Sequence, residues 1–143
     1  MADIALSARA TANRAIDVAK YPAAPDQATY PAAEAIVAGA PIRLDTSNGR
    51  FTNANASSAA EARATHIATH SAAAGEAVTG IRRGLLDGFV LDALAYDAAV
   101  YLSNTDGRLA DAAGTTPVTV GRVVPGFATT LGTAADKLLD VLL

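Results

Sequence analysis

Cysteine and tryptophan are absent from the 143 residues, methionine occurs once, and aromatic side chains make up only 5%. Without cysteine there is no disulfide, no thiolate nucleophile and no sulfur-ligated metal site, and the chain needs no oxidising compartment. Cationic charge is also scarce. Eleven Lys and Arg stand against fourteen Asp and Glu, and apart from the Arg82-Arg83 pair the basic residues are scattered. A nucleic-acid surface needs a basic stripe interleaved with aromatics, so nucleic acid is not an expected partner. No apolar run approaches the roughly 20 residues of a membrane span. The opening Met1-Ala2-Asp3-Ile4-Ala5-Leu6-Ser7-Ala8-Arg9 places an acid and then an arginine where a secretory signal needs a positive start and an unbroken apolar stretch. A soluble chain made in the cytoplasm is the expectation.

What the chain has in quantity is alanine, about a quarter of all residues, within a hydrophobic content of 51%. Alanine fills little volume, so a core of scattered Val, Ile and Leu is thin for a domain of this size. A lone monomer is expected to be marginally stable, which favours oligomerisation. Residues 1–33 read as an extended N-terminal arm and residues 34–143 as a β-rich body. Pro22, Pro25 and Pro31 argue against a continuous helix in the arm. For residues 8–20 the two-residue spacing of Ile16 and Val18 fits a strand or extended segment, while alanine propensity fits a helix; the extended reading is preferred.

The body opens with Ala35 to Asp45 as a strand entry, Ile42 and Leu44 sharing one face. Asn48-Gly49 tolerates positive φ at two successive positions, which predicts a type I′ hairpin returning through Arg50-Phe51-Thr52. The pattern recurs at an offset of 58: Val100-Tyr101-Leu102, then Asp106-Gly107, then Arg108-Leu109-Ala110 match Ile42-Arg43-Leu44, Asn48-Gly49 and Arg50-Phe51-Thr52 without gaps. A duplicated hairpin unit follows from this. Ala64 to His70, Ala77 to Leu86 and Pro117 to Val124 read as further strands. Ser58-Ala59-Ala60-Glu61 has capping-box spacing and predicts about one and a half turns of helix. Thr133 to Asp136 raises the same option for the C-terminal run, where a final strand is preferred over a helix. The expected fold is thus mainly β, a small domain with at most one or two short helices.

Groups able to do chemistry are few. His66 and His70 share a face on either a helix or a strand, but no carboxylate lies between them to serve as a base. Polar residues on the wetter face of a strand is the preferred reading over a metal pair. Asp87, Asp92 and Asp97 recur every five residues, a spacing that matches neither helix nor strand and no EF-hand loop. The serines lack a glycine-flanked nucleophile elbow, and Gly121-Arg122 with Gly126 makes no phosphate loop. No catalytic residue, metal site or cofactor is expected, and the chain reads as non-enzymatic.

Asp97-Ala98-Ala99-Val100-Tyr101-Leu102-Ser103-Asn104-Thr105-Asp106-Gly107-Arg108-Leu109, followed by Val120-Gly121-Arg122-Val123-Val124, resembles the C-terminal half of bacteriophage capsid cement, or head decoration, proteins. Met1 to Ala8 looks like the start of that family, and Ile42-Arg43-Leu44-Asp45 with Asn48-Gly49 looks like its first hairpin. The stretch Tyr21 to Pro31 departs from the family pattern. The resemblance implies a compact small β-barrel or β-tulip-like body, usually trimeric, on the outer capsid surface of the virion, with the major capsid protein and itself as partners. The expected role is to stabilise the capsid by bridging neighbouring capsid subunits; another phage β-module, tail or fibre associated, is the alternative. Ile4, Leu6, Ile16 and Val18 are the candidate capsid anchors of the arm, and Asn48, Gly49, Asp106 and Gly107 form the two hairpin turns.

Overall fold

The computed structural model describes residues 26–126 and 137–143. The four candidate anchors, the extended reading of residues 8–20 and the capping option at Thr133 lie outside them. Ten strands follow in chain order: β1 (Gln27–Pro31), β2 (Pro41–Leu44), β3 (Phe51–Asn53), β4 (His66–Ala68) and β5 (Ala77–Ile81), then β6 (Arg83–Leu86), β7 (Ala99–Leu102), β8 (Leu109–Ala110), β9 (Thr119–Pro125) and β10 (Lys137–Leu142). The described residues contain no helix, so the chain is mainly β as expected. They form two five-stranded antiparallel sheets, ordered β1-β5-β4-β2-β3 and β6-β10-β9-β7-β8. Adding five to each strand number of the first sheet gives the second. The duplication seen in thirteen residues of sequence therefore extends to the whole strand order of each half.

Both sheets are open, β1 and β3 forming the edges of one and β6 and β8 those of the other. This corrects the barrel among the expected forms: hairpins of two or three residues offer too little ladder to close a cylinder. The sheet body also begins earlier than residue 34. β1 lies within the span read as the arm and pairs with β5 along its whole length, Gln27 opposite Ile81 and Pro31 opposite Ala77. Arg82 is the pivot between halves. Its N–H donates to the Asp26 carbonyl and its carbonyl accepts from Leu143 N–H, after which the chain crosses from β5 into the second sheet.

Alternation decides which faces are buried. In β10 Leu139 and Val141 point inward while Leu142 points outward, and the paired β9 contributes Val123 opposite Leu139. The C-terminal run is thus the preferred strand rather than a helix, because its β-branched and leucine residues complete a ladder on both sides. Gly121 is required where β9 meets β10: a Cβ there would run into the Asp140 carbonyl oxygen.

Two cores result. The first packs Ile36, Ile42, Phe51 and Val78 among Ala32, Ala40, Ala68 and Ala72. The second packs Leu91, Val100, Leu102, Val120, Val123, Leu139 and Val141, and takes in Ala54, Ala56, Ala62 and Ile67 from the first half. In each half the segment joining the first two strands folds back over the sheet and inserts large side chains, Ile36 in one case and Phe89, Leu91 and Leu94 in the other. Phe51 is the only fully buried aromatic side chain among the described residues, and it meets Tyr30 and His66 edge-on at 5.1 and 5.3 Å between ring centroids.

The hairpins form where the sequence places them, with a different turn. β2 pairs with β3, Leu44 opposite Phe51, and β7 with β8, Leu102 opposite Leu109. Type I′ needs positive φ at both central residues. Gly49 and Gly107 have it (70° and 65°), but Asn48 and Asp106 do not. Each loop instead spans four residues, 46–49 and 104–107, closed by Asp45 N–H to Arg50 carbonyl and Ser103 N–H to Arg108 carbonyl. Side chains hold them open to that length. Asp45 accepts from Ser47 N–H as Ser103 Oγ accepts from Thr105 N–H, and Asn48 Oδ1 accepts from Arg50 N–H.

The predicted capping box at Ser58 makes its hydroxyl-to-backbone bond without making its helix. Glu61 N–H donates to Ser58 Oγ, Ser58 Oγ donates to Glu61, and Ala62 N–H reaches the Ser58 carbonyl, a single turn. Asn55 N–H then takes the Glu61 carbonyl and pulls the chain back toward the sheet, which ends the helix before a second turn.

Candidate functional site

The seam between the halves gathers the densest set of partly buried polar groups, and it is built from the exit of the first hairpin. Residues 54–56 run beside the second hairpin loop: Gly107 N–H donates to Ala54 carbonyl at 3.0 Å and Ala56 N–H to Ser103 carbonyl at 2.7 Å. On the far side Thr116 N–H donates to Ala56 carbonyl at 2.8 Å. Alanine at 54 and 56 is what allows backbones to approach this closely. Between them Asn55, only 7% exposed, donates from Nδ2 to Asp106 Oδ1 at 3.0 Å and accepts from Ser57 N–H at 3.0 Å. Buried amides need such partners, so the pair locks the two halves in one register.

Glu34 plays the corresponding part within the first half. Its carboxylate accepts from Thr52 Oγ1 at 2.6 Å and from Asn53 N–H at 3.0 Å. Burial works to raise its pKa, but these hydrogen bonds and the nearby Arg43 guanidinium outweigh burial and hold it below the usual carboxylate value.

A cavity of about 490 Å³ lies along the same seam, bounded by Gly39 and Thr69 of the first half and by Phe89, Val90, Leu94 and Arg108 of the second. The Phe89 ring lies against Gly39, where a Cβ would come within 3.2 Å of it. Its walls are mixed: alanines and leucines with Asp87, Arg108 and Asp111 among them.

The structure separates the residues singled out in the sequence into different environments. Asn48 and Gly49 sit on an exposed loop, whereas Asp106 and Gly107 lie on the seam. The two histidines have different neighbours. His66 is half-buried against Phe51 with Nδ1 at 2.9 Å from Thr65 Oγ1, and burial, assisted by the Arg82 charge, lowers its pKa. His70 accepts the Thr79 N–H on Nε2 at 3.1 Å and has Nδ1 at 3.1 Å from the Ser71 carbonyl, so it ties β5 to the turn that precedes it. Of the three aspartates, Asp87 accepts its neighbour's Gly88 N–H, Asp92 offers its backbone carbonyl to Lys137, and Asp97 holds Arg122 through its carbonyl at 2.8 Å and its carboxylate at 3.6 Å. Among the described residues no group of three or more His, Asp or Glu converges as a metal site.

Sequence reasoning missed Asn55, Glu34 and the seam cavity. The alternation Asn53-Ala54-Asn55-Ala56-Ser57, small and polar after a hairpin strand, was the available signal for the first. Comparison with family models, curated proteins and solved structures finds no match.

Proposed function

We propose that this chain is a structural virion protein that binds the outer surface of a bacteriophage capsid and stabilises it by bridging neighbouring major capsid protein subunits, assembled as a homotrimer. The observation that carries the reading is the repeated pair of open sheets. Of the four edge strands, β3 is covered by residues 32–34, with Ala33 N–H on the Phe51 carbonyl and the Glu34 carboxylate on Asn53 N–H, while β1, β6 and β8 lie at open edges, and a free edge is a template for strand addition from a partner chain. β1 is exposed along most of its length and lies within residues 1–33, the segment read as the capsid-contacting arm with Ile4, Leu6, Ile16 and Val18 as anchors. Arms joined through one oligomer act at high effective concentration, so each contact need only be modest. The resemblance of Val100 to Leu109 and Val120 to Val124 to head decoration proteins supports the same reading.

The test is sedimentation of the purified chain with mature phage heads, for the full chain and for a variant lacking residues 2–20. Cosedimentation of the full chain, and its loss on deletion with circular dichroism and free mass per oligomer otherwise preserved, is the expected outcome. Unchanged binding of the deletion variant removes the arm from the account. Failure of the full chain to cosediment removes the capsid.

A further inference from the structure

The two halves share one strand order, yet the contact between them is made only once. The second loop docks on residues 54–56 of the first half through Gly107 N–H to Ala54 carbonyl, Ala56 N–H to Ser103 carbonyl and Asn55 to Asp106. Position n of the first hairpin matches n + 58 of the second, so the matching partners are the first loop, with Asp45, Asn48 and Gly49, and the segment Ala112-Ala113-Gly114. A two-fold relation between halves would bring these together as well. It does not. The first loop is exposed, and Gly49 N–H closes back on the Asp45 carbonyl at 2.8 Å, the acceptor whose counterpart on Ser103 is taken by the docked strand. A Cβ on Gly49 would meet nothing within 4 Å, whereas one on Gly107 would strike Asn53. Ala112 and Ala113 are exposed, and neither the Ala112 carbonyl nor the Gly114 N–H has a partner among the described residues. The relation between halves is therefore head-to-tail, leaving over the first loop and the unpaired backbone groups of Ala112–Gly114, with Gly114 itself half-buried against Ala56, Asn104 and the Leu102 carbonyl. Such an interface generates rings or filaments when repeated.

We propose that the first loop, residues 46–49, docks on Ala112–Gly114 of a second copy of this chain, repeating between molecules the contact that the second loop makes within one. Gly49 N–H exchanges the Asp45 carbonyl for the neighbour's Ala112 carbonyl, and the freed Asp45 carbonyl accepts the neighbour's Gly114 N–H. A second copy fits because the chain itself holds the template of the contact, in residues of the same kind at the same offset. One element is weaker between molecules: Asn55 and Asp106 correspond to Ala113 and Asn48, so the buried amide–carboxylate bond is missing. This inference rests on the self-association in the functional reading and names its surface.

The test is sedimentation equilibrium of the full chain, of Ala113→Arg, and of the double variant Asn48→Asp with Ala113→Asn, which rebuilds the missing bond on two exposed positions. The arginine is expected to shift the oligomer to monomer. The double variant is expected to tighten association roughly tenfold, the worth of one charge-assisted hydrogen bond. Association unaltered in both variants, or monomers throughout, overturns the proposal. Capsid cosedimentation of the same proteins is read separately: binding that survives while the self-contact is refuted leaves the functional reading standing, and wild-type chain that self-associates without binding heads refutes that reading alone.

Discussion

Single residues carry disproportionate weight in a core this poor in large side chains. Phe51 is fully buried and touches both Tyr30 and His66, so Phe51→Ala is expected to cost about 3–5 kcal/mol, measured by chemical denaturation. Glu34→Ala strands the Thr52 hydroxyl and the Asn53 N–H, at a cost of about 1–3 kcal/mol. Its pH dependence has a definite sign. The folded-state pKa lies below the reference 4.5, so the carboxylate's stabilisation is present above that value and is lost as pH falls through the folded one. His66 acts at higher pH by the same logic. Its folded pKa is lowered from 6.5, the unfolded chain therefore takes up the proton first, and stability declines as pH drops below about 6.5. Thermal melts of His66→Gln between pH 7 and pH 5 are expected to show a flatter decline than wild type; an equal slope would place the pH sensitivity elsewhere.

At the scale of elements, the two hairpin loops are alike in conformation and unlike in surroundings, and substitution separates the two effects. Within one molecule Gly49→Ala incurs the strain of positive φ and no clash, about 1–2 kcal/mol. Gly107→Ala incurs the same strain and also forces Asn53 aside at the seam, so it is expected to cost more, and paired denaturation curves check the order. Much of this level was legible. Alternating apolar residues placed the strands near Ile42, Val100 and Val120, and matching residues at Asn48-Gly49 and Asp106-Gly107 announced the repeat. The turn type was not legible, because Asp45 and Ser103 bond the chain two residues on and lengthen each loop to four, a side-chain effect that the Asx-Gly pair alone does not reveal. Nor was the fate of Ser58 to Glu61 legible. The Ser58 hydroxyl caps Glu61 N–H as the spacing predicts, and the bond from Asn55 N–H to the Glu61 carbonyl then overrides the local preference for helix. The seam belongs to the same class: it depends on backbones meeting across some fifty residues of sequence, which no local pattern records.

For the whole molecule, duplication of an open sheet explains why a chain with so much alanine and so few rings folds at all. Each half completes the other: Ala54, Ala56, Ala62 and Ile67 fill out the second core, and the docked loop supplies Asp106 to Asn55. The outer face of the second sheet still exposes Leu85 and Leu142 at 47% and 51%, on strands β6 and β10 that lie side by side. Such a surface gains by being covered, in keeping with the assembly on a larger shell that we propose. The most direct measurement of that claim is the copy number of this chain in purified virions relative to the major capsid protein, by quantitative mass spectrometry. A fixed stoichiometric ratio, lost from the particle when residues 2–20 are deleted, is the predicted result; absence of the chain from intact virions would contradict the account.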